Sequence, residues 1–135
     1  MLLKEQCIVK FNKSNKNGRV YSSDCFNLED PVIEARLKTG TFFGEFGFPE
    51  DYRFDIDFTK ISHSIINLYK KEDGLYADIE TLETPCGKLL EDIINRGNQV
   101  NFRTRGSGDL IPREDGIFEV KDYTLISIDY TSDPA

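Results

Sequence analysis

The sequence predicts an α+β fold, a mostly antiparallel sheet accompanied by two helices, and three observations carry this prediction. Apolar residues alternate with polar ones along most of the chain, which is the period of a half-buried strand. Two such runs, Ser62 to Lys70 and Leu75 to Leu82, are joined across a turn that contains glycine, which predicts a β-hairpin. Helix signals occur in only two segments. At 135 residues, one domain covering positions 1–135 is expected.

The first third of the chain contains the weaker of the two predicted helices. Glu5 to Phe11 alternates as a strand, and a polar loop follows that closes on Asn17-Gly18, where both residues tolerate positive φ. A short extended segment, Arg19 to Tyr21, comes next. Leu28 to Lys38 is predicted to be helical because Pro31 suits the first turn of a helix.

The middle of the chain contains two further predicted strands and the stronger helix. Thr41 to Phe48 is rich in aromatic residues and predicts a strand bent at its glycines, and Phe54 to Ile61 alternates weakly. The helix begins with Thr84 as N-cap and Pro85 at the first helical position, and Gly97 ends it.

The segment from Gly97 to Leu110 is the one on which we expect a site. A short strand with Val100, Phe102 and Thr104 on one face is predicted to enter a turn flanked by Gly106 and Gly108. Polar side chains delivered into such a turn commonly form functional sites. The remaining predicted elements are a turn at Pro112 to Gly116 and strands at Phe118 to Lys121 and Tyr123 to Tyr130.

Charge and composition limit the partners that the chain can bind. The net charge of −7 predicts repulsion from nucleic acids and from anionic membranes, so neither is an expected partner. A single His and three Cys without paired spacing predict no metal site, and no cofactor motif is present. Three widely separated cysteines fit a reducing compartment. Cys86 falls in the first turn of a predicted helix, where a thiolate is stabilised, although a half-buried structural thiol is the simpler interpretation.

Acidic and aromatic residues of the middle segment are interpreted in different ways. The acidic residues alternate with apolar ones and are expected on the exposed faces of strands; they are Glu45, Asp55, Asp57, Asp78 and Glu80. The aromatic residues Phe42, Phe43, Phe46 and Phe48 lie within seven positions. They cannot all point inward from one strand, so some of them, with Phe42, Phe43 and Phe46 as the candidates, are expected to contact a partner.

Six short motifs in order resemble those of the tailed-phage prohead (capsid) maturation protease family. The resemblance extends from about residue 5 to residue 134. The motifs are Asn15-Lys16-Asn17-Gly18-Arg19-Val20-Tyr21, Gly44-Glu45-Phe46-Gly47-Phe48-Pro49, Ile61-Ser62-His63, Thr84-Pro85-Cys86-Gly87-Lys88, Arg103-Thr104-Arg105-Gly106-Ser107-Gly108 and Ile128-Asp129-Tyr130-Thr131-Ser132-Asp133-Pro134. The resemblance implies a small, mostly antiparallel β-barrel with flanking helices, related to the herpesvirus assembly proteases and acting inside the immature capsid.

The catalytic positions that the resemblance implies hold residues that cannot perform the chemistry. In the family, His lies in Gly-Glu-x-x-His-Pro and Ser in Ser-Ser-Arg-Gly; here the His position is Phe48 and the two Ser positions are Arg103 and Thr104. Phe cannot accept a proton, and Arg stays protonated, so neither serves as base or nucleophile. No catalytic residue is therefore expected at these degenerate positions. Arg105 matches the family's Arg and is expected in a structural or anion-facing binding role.

Other residues are fallback candidates for catalysis. His63 is the one imidazole, and the hydroxyls of Thr104 and Ser107 and the thiol of Cys86 are candidate nucleophiles. A His63 that is hydrogen-bonded within the fold is the preferred interpretation. For catalysis, His63 and Thr104 would have to lie within hydrogen-bonding distance, about 2.6–3.2 Å.

The sequence therefore leads to one preferred functional hypothesis and two alternatives. The preferred hypothesis is a catalytically inactive, prohead-protease-like structural protein, an auxiliary or decoration protein of the virion. It would be assembled in the host bacterial cytoplasm and bound to the major capsid protein, with further copies of itself or other virion proteins as additional partners. One alternative is an active maturation protease that cleaves capsid and scaffold proteins with Thr104 or Ser107 as nucleophile and His63 as base. The other is a scaffold-associated internal protein that binds without cleaving.

Overall fold

The computed structural model describes residues 1–47 and 54–132, which form two mainly antiparallel sheets and two α-helices. The elements in chain order are β1 (Leu2–Lys10), β2 (Arg19–Val20), a short 3₁₀ turn (Ser23–Cys25), α1 (Pro31–Thr39), β3 (Phe43–Glu45), β4 (Ile61–Lys71), β5 (Gly74–Thr81), α2 (Pro85–Asn95), β6 (Asn101–Pro112) and β7 (Phe118–Thr131). The α+β class and the antiparallel pairing are confirmed.

The first sheet has four antiparallel strands in the order β1-β5-β4-β3. The predicted hairpin is confirmed as β4 and β5, with Lys71 opposite Gly74 across the turn. Alternation places Ile65 of β4 and Leu75 and Ile79 of β5 in the interior, where all three are fully buried. This sheet supplies one wall of the core.

The second sheet has the order β2-β7-β6, with β2 parallel to β7 and β6 antiparallel to it. The predicted turn at Gly106 and Gly108 is wrong, because β6 continues through both residues to Pro112 and the reversal follows at 113–117. The glycines instead sit at irregularities in the pairing with β7. A Cβ at Gly106 would lie 2.1 Å from the carbonyl oxygen of Thr124, so the close approach of the two strands requires glycine there.

We expect Gly106→Ala to lower the free energy of unfolding by about 2 kcal/mol or more, because the added methyl group collides with backbone rather than with an adaptable side chain. Urea unfolding followed by circular dichroism measures this loss. Ser107→Ala, on the next residue of the same strand, is the control and should change stability little. Equal unfolding midpoints for wild type and Gly106→Ala would contradict the close packing of β6 on β7.

The expected barrel is wrong, because the two sheets do not close on each other. Among the described residues, backbone pairing between the sheets occurs at a parallel bridge between Phe46 and Tyr130, supported by a 2.9 Å hydrogen bond from Gly47 N to Tyr130 O. β3 is only three residues long, so it cannot form a longer row of backbone pairs with the second sheet. On the opposite side, the described strand pairings do not join β1 to β6.

The two helices cover the core from outside the sheets. α2 begins as predicted, with the Thr84 hydroxyl accepting a 3.0 Å hydrogen bond from Gly87 N. α1 begins later than predicted, because the carboxylate of Asp30 accepts from Val32 N and fixes the start at Pro31. Within residues 1–47 and 54–132, no helix has the length and apolar character needed to cross a membrane.

The predicted strand from Phe54 to Ile61 is wrong over most of its length. The segment turns, and only Ile61 belongs to a strand. The reason lies in Asp57, whose side chain accepts hydrogen bonds from the backbone N and the hydroxyl of Thr59 at 3.0 and 2.6 Å. Such a local bond competes with strand pairing and favours a turn.

β7 pairs with β6 along one edge. Along its other edge, between its contacts with β2 and β3, side chains hydrogen-bond to its backbone carbonyl groups, and we call this the capped edge. Cys25 Sγ lies 2.8 Å from the carbonyl oxygen of Val120, and Arg36 Nη1 donates to that of Ile126 at 2.9 Å. His63 Nε2 lies 2.7 Å from the carbonyl oxygen of Ile128. Three different elements thus supply partners that a neighbouring strand would otherwise provide.

Candidate functional site

The candidate site lies where β6 runs opposite β7 and β3 ends beside them. In this register Arg103 is opposite Asp129, Thr104 is opposite Ile128, and Arg105 is opposite Ser127. Directly opposed residues of an antiparallel pair share a face, so both arginines project toward the face of Asp129. Thr104 projects to the other face. Positions 103 and 104, at which the sequence resemblance expects serines, therefore face opposite sides of the sheet.

A buried charge cluster occupies the arginine face. The guanidinium of Arg105 lies 2.7 Å from a carboxylate oxygen of Glu45 and 3.0 Å from one of Asp129. Its Nε also donates to the Ser127 hydroxyl at 3.0 Å, and that hydroxyl donates to Asp129. All four residues are buried. We call this set, Glu45, Arg105, Ser127 and Asp129, the charge cluster.

The charge cluster corrects the prediction for Glu45 and bears on the one for Arg105. Glu45 was expected on an exposed strand face but is fully buried against Arg105, because a buried cation requires a counter-charge. Arg105 was expected in a structural or anion-facing binding role, and its guanidinium is turned inward onto carboxylates of its own chain, which agrees with the structural part of that prediction. Burial raises the pKa of Asp129, and the neighbouring Arg105 and the backbone amide of Glu45 only partly oppose this rise.

His63 is buried within the first sheet, with both ring nitrogens engaged. Nδ1 lies 2.7 Å from the Ser62 hydroxyl, and Nε2 lies 2.7 Å from the carbonyl oxygen of Ile128. A carbonyl only accepts, so Nε2 carries the proton, and Nδ1 accepts from Ser62. Burial lowers the pKa of His63 to about 4. Gly44 allows this packing, since a Cβ there would lie 2.1 Å from Nε2.

Among the described residues, the hydrogen-bond partners of the His63 ring do not include the candidate nucleophiles. Its ring nitrogens contact Ser62 and Ile128, so neither accepts a proton from Thr104 or Ser107. Ser107 lies within β6 rather than in the predicted loop. Cys86 is half-buried, with its Sγ 3.9 Å from the carbonyl oxygen of Thr59. The preferred interpretation of His63 as an internally hydrogen-bonded residue agrees with these contacts.

Phe48 lies outside the described residues. Its placement at the histidine position of the family therefore stays a prediction from the sequence.

The aromatic residues of the β3 region divide into core and surface. Phe42 is fully buried in the core and is not available to a partner. Phe46 is half-buried and stacks on Tyr130 with ring centroids 4.8 Å apart. Phe43 is also half-buried and meets Phe58 edge to face at 6.1 Å.

The most exposed large apolar side chains in the described part are two that the sequence did not single out. Phe58 is 69% exposed and Phe54 is 63% exposed. Both precede β4 in the connection from β3, so we call residues 54–60 the aromatic arm. The weak alternation of this segment predicted a strand that would bury Phe54 and Phe58 on one face. The sequence therefore did not indicate that both side chains are exposed.

Two other features do not add to the site. A cleft of about 170 Å³ lies between α1 and β7, with Leu28, Ile33, Arg36 and Tyr123 among its lining residues, and it contains none of the predicted catalytic residues. Among the described residues, no group of three or more His, Cys, Asp or Glu side chains is arranged to hold a metal ion.

A scan of the sequence against models of known protein families finds no match, and a search of curated proteins also finds none. A search of solved structures does find similarity. The structure of the bacteriophage T4 capsid assembly protease, gp21, matches with a TM-score of 0.81 and 23% sequence identity. The match covers 98% of this chain and 82% of the T4 chain. At this identity the comparison establishes the fold, so the chain has the fold of a phage capsid assembly protease.

Proposed function

We propose that this protein is a non-proteolytic component of a tailed-phage particle that binds the major capsid protein. The observation that carries the proposal is the state of His63, the one imidazole in the chain. It is buried, neutral and hydrogen-bonded through both nitrogens. A hydroxyl nucleophile needs a base that can take its proton, and the one acceptor nitrogen of this imidazole is occupied by the buried Ser62 hydroxyl, so it is not open to Thr104 or Ser107.

The residues at positions 103 and 104, where the resemblance expects serines, support the same conclusion. Arg103 carries a guanidinium, which has only hydrogen-bond donors and no acceptor, and Thr104 lies on the opposite face of β6 from the charge cluster. An active protease using Thr104 or Ser107 with His63 would require His63 to exchange at least one of its two hydrogen bonds for a new partner. This alternative therefore requires a rearrangement of the core, whereas the non-proteolytic function requires none.

The capsid partner is inferred from the fold and from the chemistry of recognition. The T4 protein with the same fold is named a capsid assembly protease, and such an enzyme must contact capsid components before it cleaves them. Recognition and cleavage depend on different residues, so a binding surface persists when the catalytic residues are absent. We propose a role as an auxiliary or decoration protein of the virion on this basis.

The aromatic arm is the surface that we propose for capsid contact. Phe58 and Phe54 are exposed, and Phe43 supports Phe58 from β3. Exposed aromatic side chains of this kind are enriched at the centres of protein interfaces. Phe43, which the sequence analysis predicted to contact a partner, is therefore included in the proposed contact surface together with the aromatic arm.

A cleavage assay tests the absence of proteolysis. The purified chain is incubated with the capsid and scaffold proteins of the phage that encodes it, and intact masses are followed by mass spectrometry. We expect no cleavage by the wild type or by the double variant Thr104→Val with Ser107→Ala. Both substitutions lie outside the buried core residues, so the variant should fold. If the wild type cleaves these proteins and the double variant does not, the protease alternative is established.

A second measurement separates a virion component from an internal protein that is removed during assembly. Quantitative mass spectrometry and cryo-electron microscopy of mature particles should find the chain at ordered, stoichiometric positions on the capsid. Particles that contain it only before maturation would support the scaffold-associated alternative instead.

We expect Phe58→Ser to weaken binding to the major capsid protein by about tenfold or more, because truncating an aromatic hot-spot residue costs about 2 kcal/mol or more. Surface plasmon resonance with immobilised capsid protein measures the change. Leu110→Ser, on the exposed end of β6, is the matched control and should leave the affinity unchanged. Equal affinities for Phe58→Ser and wild type would reject the aromatic arm as the contact surface.

A further inference from the structure

The two described ends of the connection from β3 to β4 are joined by a backbone hydrogen bond. The first end is held by hydrogen bonds from Phe46 N to Lys60 O at 2.8 Å and from Gly47 N to Tyr130 O at 2.9 Å. The second end is the aromatic arm, in which Lys60 N donates to Asp57 O at 3.0 Å. The arm itself contains no regular helix or strand, so its position depends on such individual contacts.

Arg105 contacts the arm from the second sheet. Its Nη1 donates to the carbonyl oxygen of Asp55 at 3.0 Å, and its Nη2 donates to Glu45 Oε2 at 2.7 Å. The same Glu45 oxygen accepts from Asp57 N at 3.2 Å. Arg105 therefore holds the carbonyl group of Asp55 directly, and it holds the backbone amide of Asp57 through Glu45.

The other side of the guanidinium is fixed to β7. Nε donates to Ser127 and lies beside Asp129, and an oxygen of Asp129 accepts from Glu45 N at 2.9 Å. The planar fork of arginine can satisfy these directions together, whereas the single ammonium of lysine cannot. Because Arg105 is buried, water does not readily replace any contact that is lost.

We infer that Arg105 is a positioning residue: it fixes the aromatic arm to the edge of the second sheet and so determines where Phe54 and Phe58 are presented. This role goes beyond the proposed function and does not depend on the identity of the partner.

Hydrogen–deuterium exchange followed by mass spectrometry tests this role on the full chain. In Arg105→Lys we expect amides of residues 54–60 to exchange at least about tenfold faster, the effect of losing a buried hydrogen bond to a charged group. Peptides from β5, in the core of the first sheet, should exchange at the wild-type rate. Arg96→Lys, which alters an exposed ion pair on α2, is the matched control.

The pattern of exchange decides the result. Faster exchange confined to the arm supports the positioning role, whereas no change, or a rise shared equally by β5, overturns it. If Arg105→Lys does not fold, Glu45→Gln removes the same bridge while retaining Arg105, and the same pattern applies. Capsid affinity of the variants is a separate measurement: a wild type that binds no capsid protein rejects the proposed function, and the exchange pattern still decides the role of Arg105.

Discussion

Replacing Arg105 with Met is expected to lower the free energy of unfolding by about 3–5 kcal/mol, the usual cost of removing one partner from a buried ion pair. The variant leaves the carboxylates of Glu45 and Asp129 together in the interior without the cation that both contact. Methionine fills much of the same space, so the loss reports charge rather than a cavity. Urea unfolding at pH 7 measures it.

The pH dependence of this loss gives a second signature. Burial raises the pKa of Asp129 and Arg105 opposes this rise, so without Arg105 the buried carboxyl of Asp129 binds a proton more readily and the difference between variant and wild type should shrink as the pH falls from 7 to 5. Arg96→Met removes an exposed ion pair with Asp92 and should change stability by no more than about 0.5 kcal/mol. Similar small losses for both variants would show that the charge cluster contributes little to stability.

The second large effect is acid destabilisation through His63. Its pKa is lowered from 6.5 to about 4 because the fully buried ring is shielded from water. The unfolded chain therefore binds a proton at a higher pH than the folded chain does. The corresponding stability is fully present above pH 6.5 and is lost as the pH falls toward 4, by about 3 kcal/mol in total.

His63→Gln isolates this contribution. The amide of Gln can donate to the Ile128 carbonyl and accept from Ser62, but it does not titrate. We expect the variant to be less stable at pH 7, with a smaller further loss between pH 6.5 and 4.5. The raised pKa of Asp129 acts in the opposite direction and is common to both proteins, so it cancels in the comparison. An equal acid loss in both would mean that His63 is protonated in the folded state.

Sequence patterns within a few residues were sufficient to predict the β4–β5 hairpin and α2. The β4–β5 hairpin and α2 were predictable because alternation, a glycine-containing turn and the Thr84 cap all act within a few residues. Gly106 shows where such signals are ambiguous. Glycine permits either a turn or the close approach of two strands, and the choice depends on Thr124, which lies far along the chain.

The charge cluster could not be predicted because its members are distant in sequence. Arg105 and Glu45 are 60 positions apart, and Glu45 and Asp129 are 84 apart. Glu45 alternates with apolar neighbours, as an exposed strand residue does, and no nearby residue marks it as buried. The family resemblance identified both Glu45 and Arg105 as motif residues but did not indicate that they contact each other.

The capped edge of β7 has a consequence for how the protein behaves at high concentration. Free carbonyls along a strand edge can accept the amides of another chain and so begin sheet-to-sheet aggregation. Here Cys25, Arg36 and His63 already engage the carbonyls of Val120, Ile126 and Ile128. At high concentration, copies of the chain are thereby hindered from pairing with each other through this edge.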